Sequence, residues 1–583
     1  MHIDYRYTLT ETLATTGYFA CEPPENLGLE DALAALEEAP LDTFLHQYCL
    51  RVLVRTSQEQ LSAYAAMAYD RDSDTFSRPA LGSLLCECAL LAPHLAAALA
   101  SLPTDASERL NGQTPLIYLR ANRMPDHMAA AWWSNTFCEN ICNHHTLPHS
   151  STWEHEPIHP REVIDQAIEA IQANADALRE AHTALSTQSW EPDAVVPPQD
   201  VALNALDALM EAGVTIGQEM RHESSLSPIA LLRPWSVDLG VTNGRNSHTL
   251  QGETRAWGRG LSLAQARASC SMEIVERAST YVSVETIGST SRVSNRMTDM
   301  PFVRASYAEL LALGRDALNP DVFPSEAPFT PDAPLHWLTA HDPQGKEMLV
   351  PAQAVFLFCN LDEEDLFLAG GSTGLAAGTS LEQAKVAALC EIMERDAEAT
   401  TPFHRRQCFT IRSRDERLQS LLDDYAARGI AVQFQALTTE FGLPVYQCFV
   451  TSREGQVARA TAGKLSGPAA AIAAMTETPW PYSLVQPAPF GTPSGPGLSG
   501  LPWRYLEDLP DYSLPCHAAN LQLLETMLAK HGRRPFYVEL TREDMGIPVV
   551  RAIIPGLELT AEWDKYSRPS ARLFARALML EQS

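Results

Sequence analysis

The chain has 583 residues, 45% of them hydrophobic and 20% charged, which is typical of a globular protein with several domain-sized units. Its formal charge of −29, from 72 acidic and 43 basic residues, excludes nucleic acid as the expected partner, because the chain would repel a phosphate backbone. The polar segment Met1–Arg6 lacks the apolar core of a signal peptide, and the 12 scattered cysteines are typical of reduced thiols. We therefore expect a cytoplasmic protein.

Residues 1–190 are predicted to form an all-α N-terminal domain. Apolar residues recur at helical spacing over Leu27–Leu53 and Gln58–Tyr69, and Pro160 opens a further helical stretch. The apolar positions of that stretch form one stripe, which is typical of a packed core. They are Val163, Ile164, Ala167, Ile168, Ile171, Ala175 and Leu178.

The most membrane-like segment is Leu81–Leu102. Glu87, Pro93 and His94 interrupt it, so a buried helix pair is predicted and no membrane contact is expected.

Residues of metal-ligand type cluster at Cys138 and Cys142, followed by His144, His145 and His149. Two cysteines four residues apart share a helical face and admit a zinc site. Structural zinc pairs are more often separated by two residues, and no second pair lies nearby. Buried thiols and surface imidazoles are the favoured interpretation, with zinc as the alternative.

A proline-rich spacer at Trp190–Pro198 marks the boundary to a second domain, residues 191–583. Asp200–Gly213 is predicted to be a helix with Asp200 as its cap, and Val214–Ile216 and Ile229–Val241 are predicted strands. Short strands and helices then alternate. The predicted fold class is α/β, of mixed α+β type.

This second domain contains an internal repeat. Its two copies, Gly260–Arg277 and Gly378–Arg395, are similar in sequence and are both predicted to be helices. Such agreement exceeds what average residue usage gives by chance. The matching pairs are Gly260/Gly378, Ser262/Ser380, Leu263/Leu381, Gln265/Gln383, Ala266/Ala384, Glu273/Glu391, Ile274/Ile392, Glu276/Glu394 and Arg277/Arg395.

The repeated charges indicate a cation site. Glu273 and Glu276 lie on one helical face, where their charges repel unless a counter-charge lies between them, and Ser269 lies one turn earlier. If the copies pack about a pseudo-two-fold, Glu391 and Glu394 join them, an arrangement that suits two Mg²⁺ ions carrying nucleotide phosphates. The alternatives are a solvated, salt-bridged face and a repeat that serves packing alone.

The repeated arginines, Arg277 and Arg395, would pair with phosphate or hold the carboxylates in place. The chain has no Gly-x4-Gly-Lys-Ser/Thr motif. An ATP site here would therefore depend on metals held by carboxylates and not on a P-loop.

Two features follow the repeat. Pro479–Pro502 contains seven prolines, which exclude a regular helix and predict an exposed loop. Phe536–Thr541 and Val549–Ile554 are predicted strands, and the second one presents Arg551 on one of its faces.

These motifs together resemble the YcaO family of ATP-dependent peptide-modifying enzymes, over roughly residues 190 to 575. The segments that carry the resemblance are Ser269-x3-Glu273-x2-Glu276-Arg277, Gly371–Gly378 before the second copy, Gly546–Arg551 and Pro555–Glu558. The resemblance implies a YcaO-like catalytic domain that binds ATP and Mg²⁺. It assigns catalysis to Glu273, Glu391 and Arg551, ATP binding to Ser269, Thr373, Arg277, Arg395 and Arg551, and metal binding to Glu273, Glu276, Glu391, Glu394 and Gln383.

The chain departs from the family pattern at three places. Family members usually have Ser-Asn-Gly where this chain has Ser372-Thr373-Gly374, and a glutamate where it has Gln383. A neutral amide oxygen would hold a metal more weakly than a carboxylate. The chain ends in Ala-Leu-Met-Leu-Glu-Gln-Ser583, without the proline-alternating tail of azoline-forming members.

The resemblance implies a reaction in which a nucleophile adds to a backbone amide carbonyl and the resulting oxyanion is phosphorylated by ATP, so that phosphate leaves. Without the tail, we expect thioamide formation with an external sulfur donor. The alternatives are an azoline-forming cyclodehydratase acting on Cys, Ser or Thr, and a non-catalytic scaffold for a separate enzyme. The expected partners are a peptide or protein substrate recruited by the N-terminal domain, a sulfur-delivery or accessory protein, and a second copy in a homodimer.

Overall fold

The computed structural model describes residues 1–10, 18–222, 225–288, 290–294, 300–367, 371–437, 439–452, 455–479, 498–559 and 563–582. The proline-rich loop predicted at Pro479–Pro502 lies mostly outside these ranges. The predicted mixed α/β class is confirmed, because helices and several sheets alternate along the chain. None of the described helices has both the length and the apolar character needed to cross a membrane.

The N-terminal part of the chain is mainly helical from Leu29 to Ser186. Within it, Leu81–Leu102 forms an α-helix followed by a 3-10 helix at Pro93–Leu99, close to the predicted pair. The elements are β1 (Ile3–Thr10), β2 (Tyr18–Glu22), α1 (Leu29–Glu38), α2 (Thr43–Leu53), α3 (Gln58–Ala68), β3 (Tyr69–Asp70), β4 (Thr75–Phe76), α4 (Pro79–Leu91), α5 (Ala106–Arg109), α6 (Tyr118–Asn122), α7 (His127–Ile141), α8 (Arg161–Ala173), α9 (Ala177–Ser186) and α10 (Pro198–Glu211).

The residues before Leu29 differ from the all-α prediction. Ile3, Tyr5 and Tyr7 alternate with polar residues and are buried, the period-2 pattern of a strand with one face in the core. Strand β1 pairs in parallel with a long strand of the second domain, with Tyr5 opposite Leu250. The start of the chain is therefore part of the main sheet.

The middle of the chain carries both copies of the repeat. Its elements are β5 (Met220–Arg221), β6 (Ile229–Asn243), β7 (Asn246–Gly260), α11 (Leu263–Ala278), β8 (Val284–Ile287), β9 (Thr290–Val293), β10 (Met300–Pro301), β11 (Val303–Ser306), α12 (Tyr307–Ala312), β12 (Pro334–His341), β13 (Glu347–Pro351), β14 (Leu375–Ala377) and α13 (Leu381–Thr400).

The rest of the chain completes two sheets and ends in a helix. Its elements are β15 (Cys408–Arg412), α14 (Glu416–Ala427), β16 (Gln433–Ala436), β17 (Val445–Thr451), β18 (Val457–Gly463), α15 (Gly467–Glu477), β19 (Trp503–Tyr505), α16 (His517–Lys530), β20 (Phe536–Glu539), β21 (Val549–Ile553) and α17 (Ala571–Gln582).

Three sheets position the repeat. The largest sheet has the strand order β10-β9-β8-β6-β7-β1-β2, and β5 pairs with β6. The second sheet has the order β11-β12-β20-β21-β14, and β13 pairs with β12. The third sheet has the order β18-β17-β16-β15-β19. Helix α11 packs on β7 and α13 on β21, β14 and β18, and α11 also touches β14. The two copies thus follow β7 and β14, and both helices contact β14.

Predicted boundaries are close to those observed. Helix α10 begins at Pro198 and not at a cap on Asp200, because proline suits the first helical turn; Asp200 lies in that turn, where its charge is favourable. Strand β21 carries Arg551, as predicted.

Candidate functional site

The two repeat helices begin in the same way. The Ser262 hydroxyl accepts a hydrogen bond from the Gln265 backbone N–H at 3.3 Å, and Ser380 accepts one from that of Gln383 at 3.1 Å. The side-chain oxygen of Gln265 accepts from the Ser262 backbone N–H at 3.1 Å, and that of Gln383 from the Thr379 N–H at 2.6 Å. The repeated glutamine is therefore an N-terminal capping residue in both copies.

This placement bears on Gln383 as a predicted metal ligand. Its side-chain oxygen also accepts from the Thr379 hydroxyl at 2.8 Å. Gln383 lies about 12 Å before Glu391 along the helix axis, at 1.5 Å per residue. Gln383 therefore caps α13 in this structure, apart from the glutamates, and its role as a metal ligand stays a prediction.

The first glutamate of each copy fastens its helix to the preceding chain segment. Glu273 accepts a hydrogen bond from the Trp257 backbone N–H of β7 at 2.8 Å. Glu391 accepts one from the Gly374 N–H, just before β14, at 3.2 Å. The repeat thus extends beyond the helix to its strand contact.

The second glutamate of each copy pairs with the adjacent arginine. Arg277 Nη1 lies 3.1 Å from Glu276, and Arg395 Nη2 lies 2.6 Å from Glu394. Glu394 also accepts from the Gly463 backbone N–H at 2.8 Å. The arginines hold the carboxylates in place, one of the two roles predicted for them.

Arg551 reaches this cluster from β21. It stands opposite Leu375 of β14, and its Nη2 donates to the Gly371 carbonyl oxygen at 2.9 Å. The residue is only 4% exposed. Within the described part of the chain, its Nε and Nη1 are buried without a hydrogen-bond partner. Buried N–H groups of this kind are costly unless a ligand satisfies them.

Burial sets the electrostatics of the cluster. Burial, with a contribution from the charge of Glu391, raises the pKa of Glu276 to about 8 against the charge of Arg277. Burial also raises the pKa of Glu273, Glu391 and Glu394, and it lowers the pKa of Arg551 to about 10. A cation bound beside these carboxylates would favour their ionised form and lower these pKa values.

The carboxylates do not form a preassembled metal cage. Among the described residues, no three His, Cys, Asp or Glu side chains are placed to ligate a metal together. Each glutamate contacts an arginine or a backbone N–H, as set out above.

The two hydroxyl residues assigned to ATP binding differ in their surroundings. Ser269 is exposed on α11, one turn before Glu273. Thr373 is buried, and its hydroxyl donates to the Leu559 carbonyl oxygen at 2.6 Å. Thr373 thus holds the segment before β14 in place.

Two charged residues of the cluster, Glu477 and Arg259, were not predicted from the sequence. Glu477, at the end of α15, acts through its charge on the pKa of Glu273, Glu394 and Arg395. Arg259, at the end of β7, acts on Glu273, and its buried Nε lacks a partner among the described residues. Glu477 lies outside the repeat, and no sequence motif marks it. Arg259 directly precedes the first copy, and this position could have identified it.

The cysteine cluster of the N-terminal part contacts an arginine of β18. Cys142 Sγ accepts a hydrogen bond from Arg459 Nη2 at 3.0 Å. A guanidinium at that distance opposes a Zn²⁺ ion on the same sulfur, and the described residues contain no cluster able to hold a metal. Cys138 and Cys142 are partly exposed and not buried as predicted.

The family model of YcaO cyclodehydratase, described as ATP- and Mg²⁺-binding, matches residues 257–479. This match confirms the resemblance over both repeat copies and Glu477, while Arg551 lies outside it. An uncharacterized protein of Methanothermobacter thermautotrophicus is 26% identical over 400 residues, which are 63% of this chain and 95% of that protein.

Three solved structures are similar. A heterocyclase in complex with substrate and cofactor has a TM-score of 0.47 at 17% identity, covering 67% of this chain and 57% of that one. YcaO from Methanopyrus kandleri bound with AMPPCP and Mg²⁺ has a TM-score of 0.42 at 20% identity, covering 64% and 94%. The heterocyclase TruD has a TM-score of 0.40 at 18% identity, covering 56% and 50%.

Proposed function

We propose that this chain, whose residues 257–479 are a YcaO domain, is an enzyme that uses ATP and Mg²⁺ to activate a backbone amide of a peptide. One observation carries the proposal. The repeat helices bring Glu276 and Glu391 to the buried Arg551, whose Nε and Nη1 have no partner among the described residues. Carboxylates beside unsatisfied guanidinium groups form a site for a metal-bound nucleotide.

The residues present fit these ligands. Glu273, Glu276, Glu391 and Glu394 offer the hard oxygen ligands that Mg²⁺ prefers, and Arg551 offers N–H groups to phosphate oxygens. When bound, ATP and Mg²⁺ would supply a phosphoryl group that turns the amide oxygen into a good leaving group.

The chain's own residues prepare the site for that chemistry. Arg277 and Arg395 orient the carboxylates of Glu276 and Glu394 through contacts of 3.1 and 2.6 Å. Arg551 is fixed by its bond to the Gly371 carbonyl, so its charge is positioned before a ligand arrives. Such preorganised charge stabilises a transferring phosphoryl group without reorganisation.

The two sequence departures do not argue for a scaffold. Gln383 caps α13 and the Thr373 hydroxyl donates to the Leu559 carbonyl oxygen, so both residues have a structural role. A scaffold has no need to keep one buried and three partly buried glutamates close together, since their mutual repulsion costs stability. We therefore favour a working enzyme.

Within this class we propose thioamide formation with an external sulfur donor, with azoline formation at Cys, Ser or Thr as the alternative. The last described segment is the helix α17, and Arg572 fastens it to Asp396 of α13 at 2.6 Å. A sulfur-delivery or accessory protein, a homodimer and a cytoplasmic location belong to the same proposal.

The test combines purified protein, ATP, Mg²⁺, sodium sulfide and a mixture of short peptides, with phosphate release and peptide mass as readouts. We expect phosphate release together with replacement of one oxygen by sulfur in a peptide. Water loss without sulfide would favour the azoline alternative. Failure to bind ATP would favour the scaffold.

A further inference from the structure

A pair of thiols lies at the contact between the N-terminal helices and the YcaO domain. Cys142 follows the last residue of α7, and its Sγ accepts a hydrogen bond from Arg459 Nη2 of β18 at 3.0 Å. Cys138, one turn earlier, donates its thiol hydrogen to the same sulfur. Both side chains are partly exposed, so small molecules can reach them.

Cys142 and Cys86 are exposed to a similar degree, but their thiol groups differ in pKa. The hydrogen bond from Cys138 lowers the pKa of Cys142 to about 6, with support from the charge of Arg459 and against that of Glu398. Cys86 is similarly exposed, but burial raises its pKa to about 12. At neutral pH Cys142 is therefore a thiolate, the nucleophilic form, and Cys86 is a thiol.

A chain of ion pairs joins this thiolate to the repeat. Arg459 pairs with Glu398, and Glu398 lies 2.8 Å from Arg395 Nη1. Arg395 in turn holds Glu394. Asn140 of α7 also accepts a hydrogen bond from the Phe403 backbone N–H, just beyond α13, at 2.8 Å. Cys142 is thus held on the YcaO domain itself.

We propose that Cys142 is a sulfur-accepting site that takes sulfane sulfur from a persulfide or polysulfide. Its thiolate attacks the terminal sulfur of the donor, so that a bond forms to Cys142 Sγ and the donor leaves as a thiolate. Cys138 then attacks Cys142 Sγ while its thiol proton passes to the leaving outer sulfur, so that sulfide leaves as HS⁻ and a Cys138–Cys142 disulfide remains. An external dithiol reductant restores the two thiols.

The release step requires a local movement at the end of α7. Residues four apart on a helix have Cα atoms within the range that a disulfide spans, but their Cβ atoms are about 5–6 Å apart, so the backbone must move for the bridge to close. Cys142 lies just beyond the final helical residue, where the backbone can adjust without breaking the interior of α7. The purpose of the released sulfide rests on the proposed function, in which it is the nucleophile that enters the peptide.

The test uses the full chain and inorganic polysulfide as the probe, without ATP, Mg²⁺ or peptide. The Cys138→Ser variant keeps a hydroxyl donor next to Cys142 but cannot resolve a persulfide. We expect peptide mass spectrometry to find one extra sulfur atom on Cys142 in this variant. The unmodified chain should instead release one equivalent of sulfide and form the Cys138–Cys142 disulfide.

Two further measurements guard against misfolding and general thiol reactivity. Iodoacetamide at neutral pH should alkylate Cys142 in the unmodified chain about a hundredfold or more faster than Cys86, because only Cys142 is ionised. Cys142→Ser should abolish sulfide release above background, and Cys86→Ser should leave it unchanged. Extra sulfur on Cys86 as readily as on Cys142, or none on Cys142, would overturn the proposal.

The two proposals fail separately. If Cys142 takes no sulfur while sodium sulfide still supports ATP-dependent peptide modification, only the sulfur site is refuted. If Cys142 takes sulfur but the chain does not bind ATP, the sulfur site stands and the amide-activating function is refuted.

Discussion

The carboxylate of Glu391 accepts a hydrogen bond from the backbone N–H of Gly374 at 3.2 Å. Gly374 has a φ of +86°, in the left-handed region that other residues rarely adopt. A Cβ atom at this position would lie 2.5 Å from the Ala552 carbonyl oxygen of β21. The glycine therefore lets the segment before β14 approach β21, which carries Arg551, and at the same time holds a glutamate of the site.

Gly374→Ala should weaken both the fold and the site. We expect the free energy of unfolding in urea to fall by about 1–3 kcal/mol, from the strained φ and the close contact. Gly345→Ala is the matched control, because its φ is +79° but nothing lies within 4 Å of its Cβ position. An equal fall in the free energy of unfolding of the two variants would show that the contact with β21 is not a source of strain in Gly374→Ala.

Arg551→Met should reduce nucleotide affinity. The buried N–H groups without a partner are the groups we assign to phosphate, and each charge-assisted bond contributes about 1.5–3 kcal/mol, a loss of tenfold or more. Titration with a fluorescent ATP analogue would measure the loss. Arg551→Lys should recover part of the affinity because it keeps the charge, whereas Arg315→Met, at an exposed arginine, should bind as the unmodified chain does.

Stabilisation by Mg²⁺ should depend on pH. Burial raises the pKa of Glu276 from 4.5 to about 8. A carboxyl group with a raised pKa favours folding below its unfolded pKa, and this contribution is lost as the pH rises through the folded value. Mg²⁺ binds the ionised carboxylate, so the stabilisation that Mg²⁺ gives should increase as the pH rises from 4.5 to about 8.

The rise in melting temperature on adding Mg²⁺ and an ATP analogue should therefore be larger at about pH 8.5 than at about pH 6. Glu276→Gln should reduce this pH dependence, since it removes one of the titrating groups. The same rise at both pH values in the unmodified chain would contradict the assignment of Glu276.

Much of the site could be predicted because its signal lies within one helix. The repeated Glu-x-x-Glu-Arg fixes the spacing of Glu273, Glu276 and Arg277, and duplication identifies the second set. Glu477 could not be predicted, because only tertiary packing of α15 brings it to the cluster. The capping role of Gln265 and Gln383 could not be predicted, because recurrence within a repeat does not distinguish a cap from a ligand, whereas the hydrogen bonds identify the cap.

The fold shows the same division. The helices of the N-terminal part follow from their period, whereas β1 is a short alternating segment whose partner lies more than two hundred residues away, with Tyr5 opposite Leu250. The residue pattern of a single sequence does not show which distant strands pair with each other.

A chain that begins at residue 191 should not fold as an independent unit. It would lose β1 from its place beside β7 and expose the surface that Ile3, Tyr5 and Tyr7 cover. We expect aggregation or the loss of cooperative thermal unfolding, with recovery when residues 1–190 are co-expressed. Cooperative unfolding of the truncated chain alone would instead support the domain boundary predicted from the sequence.

The most direct test of the account is calorimetric titration of the purified chain with ATP, with and without Mg²⁺, alongside Glu276→Gln and Glu391→Gln. Glu382→Gln is the control, because Glu382 is exposed in the first turn of α13 and away from the cluster. The account predicts Mg²⁺-dependent binding that both cluster variants lose and the control keeps. Binding that survives in both cluster variants, or no binding in the unmodified chain, would contradict it.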